Sequence, residues 1–232
     1  MRRVWASRTD LYPHLRGTVL PMGEEFVTET LAYDGGRDVS VYLPRDAPDA
    51  VVFAADGGWH VERLVAVSAG SVAIVGVHGL DDDEGRLHEY VPGFNPETSA
   101  AFAAFFANDV RSWLRARFKI DLPAARTAVW GASLGGELAL AMGMAHPEIY
   151  GTAMCASPGG GYKPPAVMPT ALPRVYLTAG TQEPFFLDNA TRWADALRAV
   201  DADVVLEERD GNHGDPFWFE EFPRMVSWAF DE

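Results

Sequence analysis

Val129-Trp130-Gly131-Ala132-Ser133-Leu134-Gly135-Gly136 is the stretch that decides how the rest of the chain is read. An apolar run over residues 127–130 leads into a Gly-x-Ser-x-Gly, and helix-like residues 137–145 follow at once. Strand, tight turn and helix is the setting in which this motif forms a nucleophile elbow. The turn strains the Ser133 backbone, so the residues two before and two after must be small, and Gly131 and Gly135 meet that demand. The hydroxyl then points out of the sheet. The helix behind it offers its positive end and the Leu134 N–H to a developing oxyanion. The alternative is a glycine-rich loop with an incidental serine, and the remaining chain has to decide between them.

Outward from this stretch, short apolar runs alternate with helical patterns. Residues 26–33 and 39–43 read as a hairpin through Asp34-Gly35-Gly36, whose residues accept positive φ. Residues 51–55 and 72–77 are wholly apolar, as strands buried on both faces are. A short helix over 60–68 lies between them, and a long polar loop, 78–95, follows. Pro96 opens a strong helix, with Phe102, Phe105, Phe106, Val110, Trp113, Leu114 and Phe118 at three- and four-residue spacing. After the elbow, 151–156 and 174–179 read as strands, 188–200 as a helix, 203–207 as the last strand and 217–230 as a closing helix.

That pattern predicts a mostly parallel eight-stranded sheet with helices on both faces, the serine ending the fifth strand. This is the α/β class in the layout of the α/β-hydrolase fold. Residues 157–173 are too short for a large cap domain and read as a loop rimming the site. Residues 1–23 read as an N-terminal arm, with Val4, Trp5, Leu11, Tyr12 and Leu15 able to pack on a single domain over 24–232.

At 232 residues, with 48% hydrophobic and 22% charged residues, the chain is long enough for one well-buried core. Its net charge of −14 argues against nucleic acid and anionic membrane surfaces as partners, since both need a basic face. One cysteine, Cys155, sits in an apolar run and reads as a structural thiol. Ser7, Arg8, Thr9 and Asp10 interrupt any signal-peptide core, and no apolar run approaches the ~18 residues of a membrane span. The expected location is cytoplasmic.

A serine hydroxyl needs a base to act as a nucleophile, and in this fold the order is serine, acid, histidine. Of six histidines, only His213 follows the last strand, in Asp210-Gly211-Asn212-His213-Gly214-Asp215-Pro216. It is the candidate base. The acid should follow the seventh strand, where Glu183 is the first carboxylate and Pro184 biases it toward an extended backbone. Asp188 competes but suits a helix N-cap, and Asp210 or Asp215 could orient His213 instead, or a Ser133–His213 dyad could work with no strict acid. The second oxyanion N–H should come from Asp56-Gly57-Gly58-Trp59, with Gly58 first and Gly57 or Trp59 as alternatives. Trp59 could also wall the pocket.

The 78–95 loop carries Arg86-Leu87-His88-Glu89-Tyr90. An Arg86–Glu89 pair could brace the oxyanion loop or grip a substrate carbonyl, and bracing is preferred. The acidic run 81–84 reads as a solvated face. No His/Cys cluster has metal-ligand spacing and no phosphate-loop lysine accompanies the glycines, so neither a metal nor a cofactor is expected.

In order, Val41-Tyr42-Leu43-Pro44, Asp56-Gly57-Gly58-Trp59, the 86–90 segment, Gly131-to-Gly136, Gly180-to-Pro184 and the run from Gly211 to Trp218 resemble the esterase family of α/β-hydrolases. That family holds enterochelin (siderophore) esterases, S-formylglutathione hydrolases, feruloyl esterases and mycolyltransferases. The likeness is strongest to the catalytic domain of enterochelin esterases and covers roughly residues 24–230. It implies ester hydrolysis with Ser133 as nucleophile and His213 as base, supports Glu183 as acid, and marks Trp218 for binding substrate or bracing the loop. The separate N-terminal domain of the larger siderophore esterases has no counterpart in the 23 leading residues. Arg63, Arg86 and Lys163 are the few cationic candidates near the site, which favours a small neutral ester, aryl ester or lactone over an anionic iron complex. Transfer of the acyl group to an alcohol or amine is the alternative reaction.

Overall fold

The computed structural model describes residues 25–68 and 70–231. The expected N-terminal arm over 1–23 lies outside the described residues. The chain runs β1 (Glu25–Leu31), β2 (Arg37–Leu43), β3 (Ala50–Ala54), α1 (Gly57–Val67), β4 (Val72–Val77) and α2 (Asp83–Tyr90). Next come α3 (Pro96–Ala104), a π-helical turn (Phe105–Asp109), α4 (Val110–Phe118), β5 (Thr127–Ala132), α5 (Leu134–Ala145) and β6 (Thr152–Ala156). β7 (Arg174–Gly180), α6 (Pro184–Arg198), β8 (Val204–Arg209), α7 (Phe217–Glu220) and α8 (Phe222–Phe230) complete it.

The eight strands form one sheet in the order β1-β2-β4-β3-β5-β6-β7-β8. β1 and β2 are antiparallel, as their hairpin requires, and β3 to β8 run parallel. This is an α/β-hydrolase fold, without a large cap among the described residues. Because strand side chains alternate between faces, each apolar strand feeds two cores. Val51, Phe53, Val129, Ala153, Cys155, Val175 and Leu177 pack toward α3 to α6. Val52, Ala54, Trp130, Met154 and Tyr176 pack toward α1, α7 and α8. Cys155 is fully buried, and burial raises its thiol pKa, as a structural thiol requires.

The order reverses between β3 and β5, which pair directly although β4 and the helices α1 to α4 separate them in sequence. In parallel sheets, such a switch point opens a crevice at the carboxyl ends of the strands. Here it sets the loop after β3 beside the turn after β5, with Ala55 N–H donating to Trp130 O (2.9 Å).

Several element boundaries differ from those read in the sequence. The long polar loop contains α2, because Asp82 caps it by accepting from Gly85 N–H (2.7 Å) and Asp83 and Glu84 occupy its first turn. The acidic run that reads as a solvated face is therefore also the helix start. α1 begins at Gly57 rather than residue 60. α6 begins at Pro184, whose fixed φ suits the first turn, so Asp188 lies exposed inside the helix and does not cap it. The closing helix breaks at Glu221, ahead of Pro223 in the first turn of α8. The helix opened by Pro96 carries a π turn, and Phe102, Phe105 and Phe106 are all buried around it.

Candidate active site

Ser133 sits at φ +56°, ψ −121°, between β5 and α5. A Cβ on Gly131 would lie 1.9 Å from Gly135 O, so only glycine fits at the start of the turn. Gly135 is less tight, with a Cβ there 3.0 Å from Ala55 Cβ. Ser133 N–H donates to Ala156 O (2.9 Å), pinning the turn to β6.

Two further elements converge on this hydroxyl. His213 lies between β8 and α7, and its Nε2 is 2.9 Å from Ser133 Oγ. Its Nδ1 is 2.6 Å from Glu183 Oε2. A carboxylate can only accept, so Nδ1 carries the proton and Nε2 is left as the acceptor for the serine proton. Phe186 stacks on the imidazole at 3.6 Å and 18°, and Trp218 meets it edge-on at 4.8 Å. Glu183 follows β7 and is buried. Its other oxygen, Oε1, accepts from Gly180 N–H (2.6 Å) and Ser157 Oγ–H (2.5 Å).

The other acids have different work. Asp210 accepts from Gln182 Nε2 (2.8 Å), and Asp215 accepts from Asn212 N–H (2.6 Å). With Gln182 N–H donating to Gly211 O (3.0 Å), these bonds shape the histidine loop and leave Glu183 as the carboxylate on the imidazole. Gly180 allows the close approach: a Cβ there would lie 2.3 Å from Gly211 O.

At the β3 end, Asp56 adopts a left-handed conformation (φ +53°) and opens α1. Trp59 N–H donates to Asp56 O (2.8 Å), which removes it from the oxyanion candidates. Gly57 and Gly58 occupy the first turn, where N–H groups lack an intrahelical acceptor. Gly58 is exposed and Gly57 buried. Asp56 itself is buried and held by Arg86 through Nε (3.0 Å) and Nη2 (2.8 Å) and by the Tyr90 hydroxyl (3.0 Å). Burial and the Asp56 charge raise the Tyr90 pKa well above its ordinary value. Arg86 also reaches Asp83 and lies 4.6 Å from the Trp59 ring.

Arg86 and Glu89, three residues apart, do not pair with each other. They point to different partners: Glu89 takes a two-point contact from Arg37 on β2 (2.7 and 2.9 Å). Arg86 thus ties α2 to Asp56 in the loop after β3, and Glu89 ties α2 to Arg37 on β2. Trp218 is buried and donates from Nε1 to Ser157 Oγ (2.7 Å), a bracing contact. Trp59, by contrast, stands at the surface, 39% exposed. No group of three or more metal-ligating side chains gathers among the described residues.

The family model described as "Putative esterase" matches residues 32–229. The chain belongs to this esterase family. Among solved structures, the chain is similar to an enterochelin esterase from Shigella flexneri, at 18% identity and a TM-score of 0.73 over 90% of its residues. It spans 58% of that protein's length. It is also similar to an S-formylglutathione hydrolase from Staphylococcus aureus (12% identity, TM-score 0.67, 89% of this chain and 98% of that one). A third likeness is to a ferulic acid esterase (17%, TM-score 0.69, 90% and 98%). At such identities the likeness is one of fold. No curated protein matches the chain.

Three residues of the candidate site were not legible in the sequence. Ser157, Asp56 as a charge partner, and Phe186 carry no motif of their own. Ser157 and Asp56 do share one signal, a polar residue directly after an apolar strand that ends at the crevice.

Proposed function

We propose that this protein is a serine carboxylic-ester hydrolase acting on a small-molecule ester or lactone through an acyl-enzyme. The observation that carries this reading is the unbroken line of hydrogen-bond contacts from Glu183 through His213 to Ser133. His213 Nε2 takes the Ser133 proton as Oγ bonds to the ester carbonyl carbon. The negative charge that develops on the carbonyl oxygen is held by the N–H groups of Leu134 and Gly58, at the positive starts of α5 and α1. Glu183 keeps the imidazole in the tautomer that accepts at Nε2 and stabilises its cation. The imidazolium then protonates the leaving alcohol as the carbon–oxygen bond breaks. Water, deprotonated by the same nitrogen, releases the acid.

Water rather than a second alcohol is the acceptor because the mouth is open: the His213 side chain is 32% exposed. Exposed Phe185, edge-on to the Phe186 ring that stacks on His213, suits an apolar or aryl ester. Arg86 is committed to Asp56 and Asp83, which, with a net charge of −14, disfavours a strongly anionic iron complex as substrate. An iron-free siderophore ester remains within the same class, in line with the Shigella neighbour's name. The same charge disfavours nucleic acid as a partner, and no helix among the described residues is long and apolar enough to cross a membrane. The single buried thiol fits a cytoplasmic enzyme.

The test is release of p-nitrophenol from short-chain and aryl esters, with and without an added alcohol. Ser133→Ala should retain its melting temperature and lose at least about 10⁴-fold in kcat. Unchanged turnover in that variant overturns the mechanism. A transesterified product dominating at low alcohol concentration would replace hydrolysis with acyl transfer.

A further inference from the structure

Ser157 directly follows β6 and is fully buried, with φ at +46°. The left-handed conformation costs a non-glycine residue about 1 kcal/mol, and Ser157 N–H is tied to Thr178 O on β7 (2.7 Å). Glycine would make this turn without strain. What glycine lacks is the hydroxyl, which the turn aims sideways along the sheet edge at Glu183.

The hydroxyl has two neighbours of opposite kind. Trp218 Nε1 is 2.7 Å away and, as an indole, can only donate. Glu183 Oε1 is 2.5 Å away and, as a carboxylate oxygen, accepts. The single hydroxyl proton therefore has one place to go. With Gly180 N–H also on Oε1, that oxygen is held by two donors, and Oε2 is the one presented to His213.

We propose that Ser157 is a positioning residue of the Ser133–His213–Glu183 site, and that Trp218 sets the direction of its hydroxyl. The chain of donors then runs one way, from indole to hydroxyl to carboxylate, and the carboxylate cannot exchange its oxygens. This rests on the esterase reading above for its kinetic consequences, but the geometry of the His213–Glu183 pair can be observed without any substrate. The competing view is that Ser157 does no more than satisfy a buried indole N–H.

The experiment compares Ser157→Ala, Trp218→Phe and the double variant, by p-nitrophenyl ester kinetics and by the low-field proton resonance of His213 Nδ1–H. Ser157→Ala should lower kcat about tenfold with KM within about twofold, and should move the resonance. Trp218→Phe keeps an aromatic edge on His213 and should cost about threefold alone but nothing further in the Ser157→Ala background, since its effect passes through that hydroxyl. A Ser157→Ala enzyme within twofold of wild type with an unmoved resonance overturns the proposal, as does a Trp218→Phe effect that is equal in both backgrounds. If Ser157→Ala does not fold, Trp218→Phe alone decides: unchanged kcat and resonance overturn it. A wild type that turns over no ester defeats the esterase reading, while the resonance still tests the positioning role.

Discussion

Arg86 closes on Asp56 with two parallel hydrogen bonds of 2.8 and 3.0 Å, across 30 residues of sequence. Asp56 is the residue on which α1 begins, so this pair sets the path of the loop that presents Gly57 and Gly58. The carboxylate is buried, and the Tyr90 hydroxyl fills a further acceptor position.

Removing the guanidinium leaves that carboxylate buried without its cation. Arg86→Met is expected to lose about 3 kcal/mol of unfolding free energy, read by urea denaturation. Arg86→Lys restores charge but not the fork, so it should recover part of the stability while kcat stays depressed. Wild-type stability and turnover in Arg86→Met would show that the pair does not brace the loop.

Glu183 follows β7 and Asp210 opens the loop that carries His213, and of the two Glu183 is the one hydrogen-bonded to the imidazole. Glu183→Gln replaces an acceptor with a group that can donate to Nδ1 and favours the wrong tautomer. A fall in kcat of at least about 10³-fold is expected. Asp210→Asn should stay within about threefold, because it alters a loop contact exposed to solvent. Steady-state kinetics on both variants checks the assignment, and reversed magnitudes would transfer the acid's role to Asp210.

His60 is buried against the edge of Trp130 (5.1 Å), and burial lowers its pKa, with the Asp56 charge opposing. The folded state therefore resists a proton that the unfolded chain accepts below about pH 6.5. The stability tied to neutral His60 is complete above that pH and declines as pH falls below it, by at most about 1.4 kcal/mol per pH unit. Denaturant unfolding at pH 7 and pH 5 should show a steeper acid loss in wild type than in His60→Asn. Equal losses would show that His60 does not titrate differently in the two states.

The central strands were legible because they are short apolar runs that feed both faces of one sheet, as with Val51 to Phe53 between the two cores. The helix hidden in the 78–95 segment was not, because its polar residues give little periodicity and its anchors are charges. Arg86 and Glu89 look like partners at helical spacing, yet each finds a better-placed opposite charge on another element. Asp188 looks like a cap because its helix starts four residues earlier than its apolar pattern.

By itself, the sequence determined the sheet, the elbow at Ser133 and the chain order in which Glu183 and His213 follow it. Those features depend on residue type, glycine placement and local periodicity, which operate within a few positions. Only the tertiary structure decided that Arg86 serves Asp56, that Glu89 serves Arg37, and that Ser157 and Trp218 stand behind Glu183. Such pairings form where strand ends and neighbouring elements meet, and sequence distance does not encode which buried charge or hydroxyl lies within hydrogen-bond reach of another.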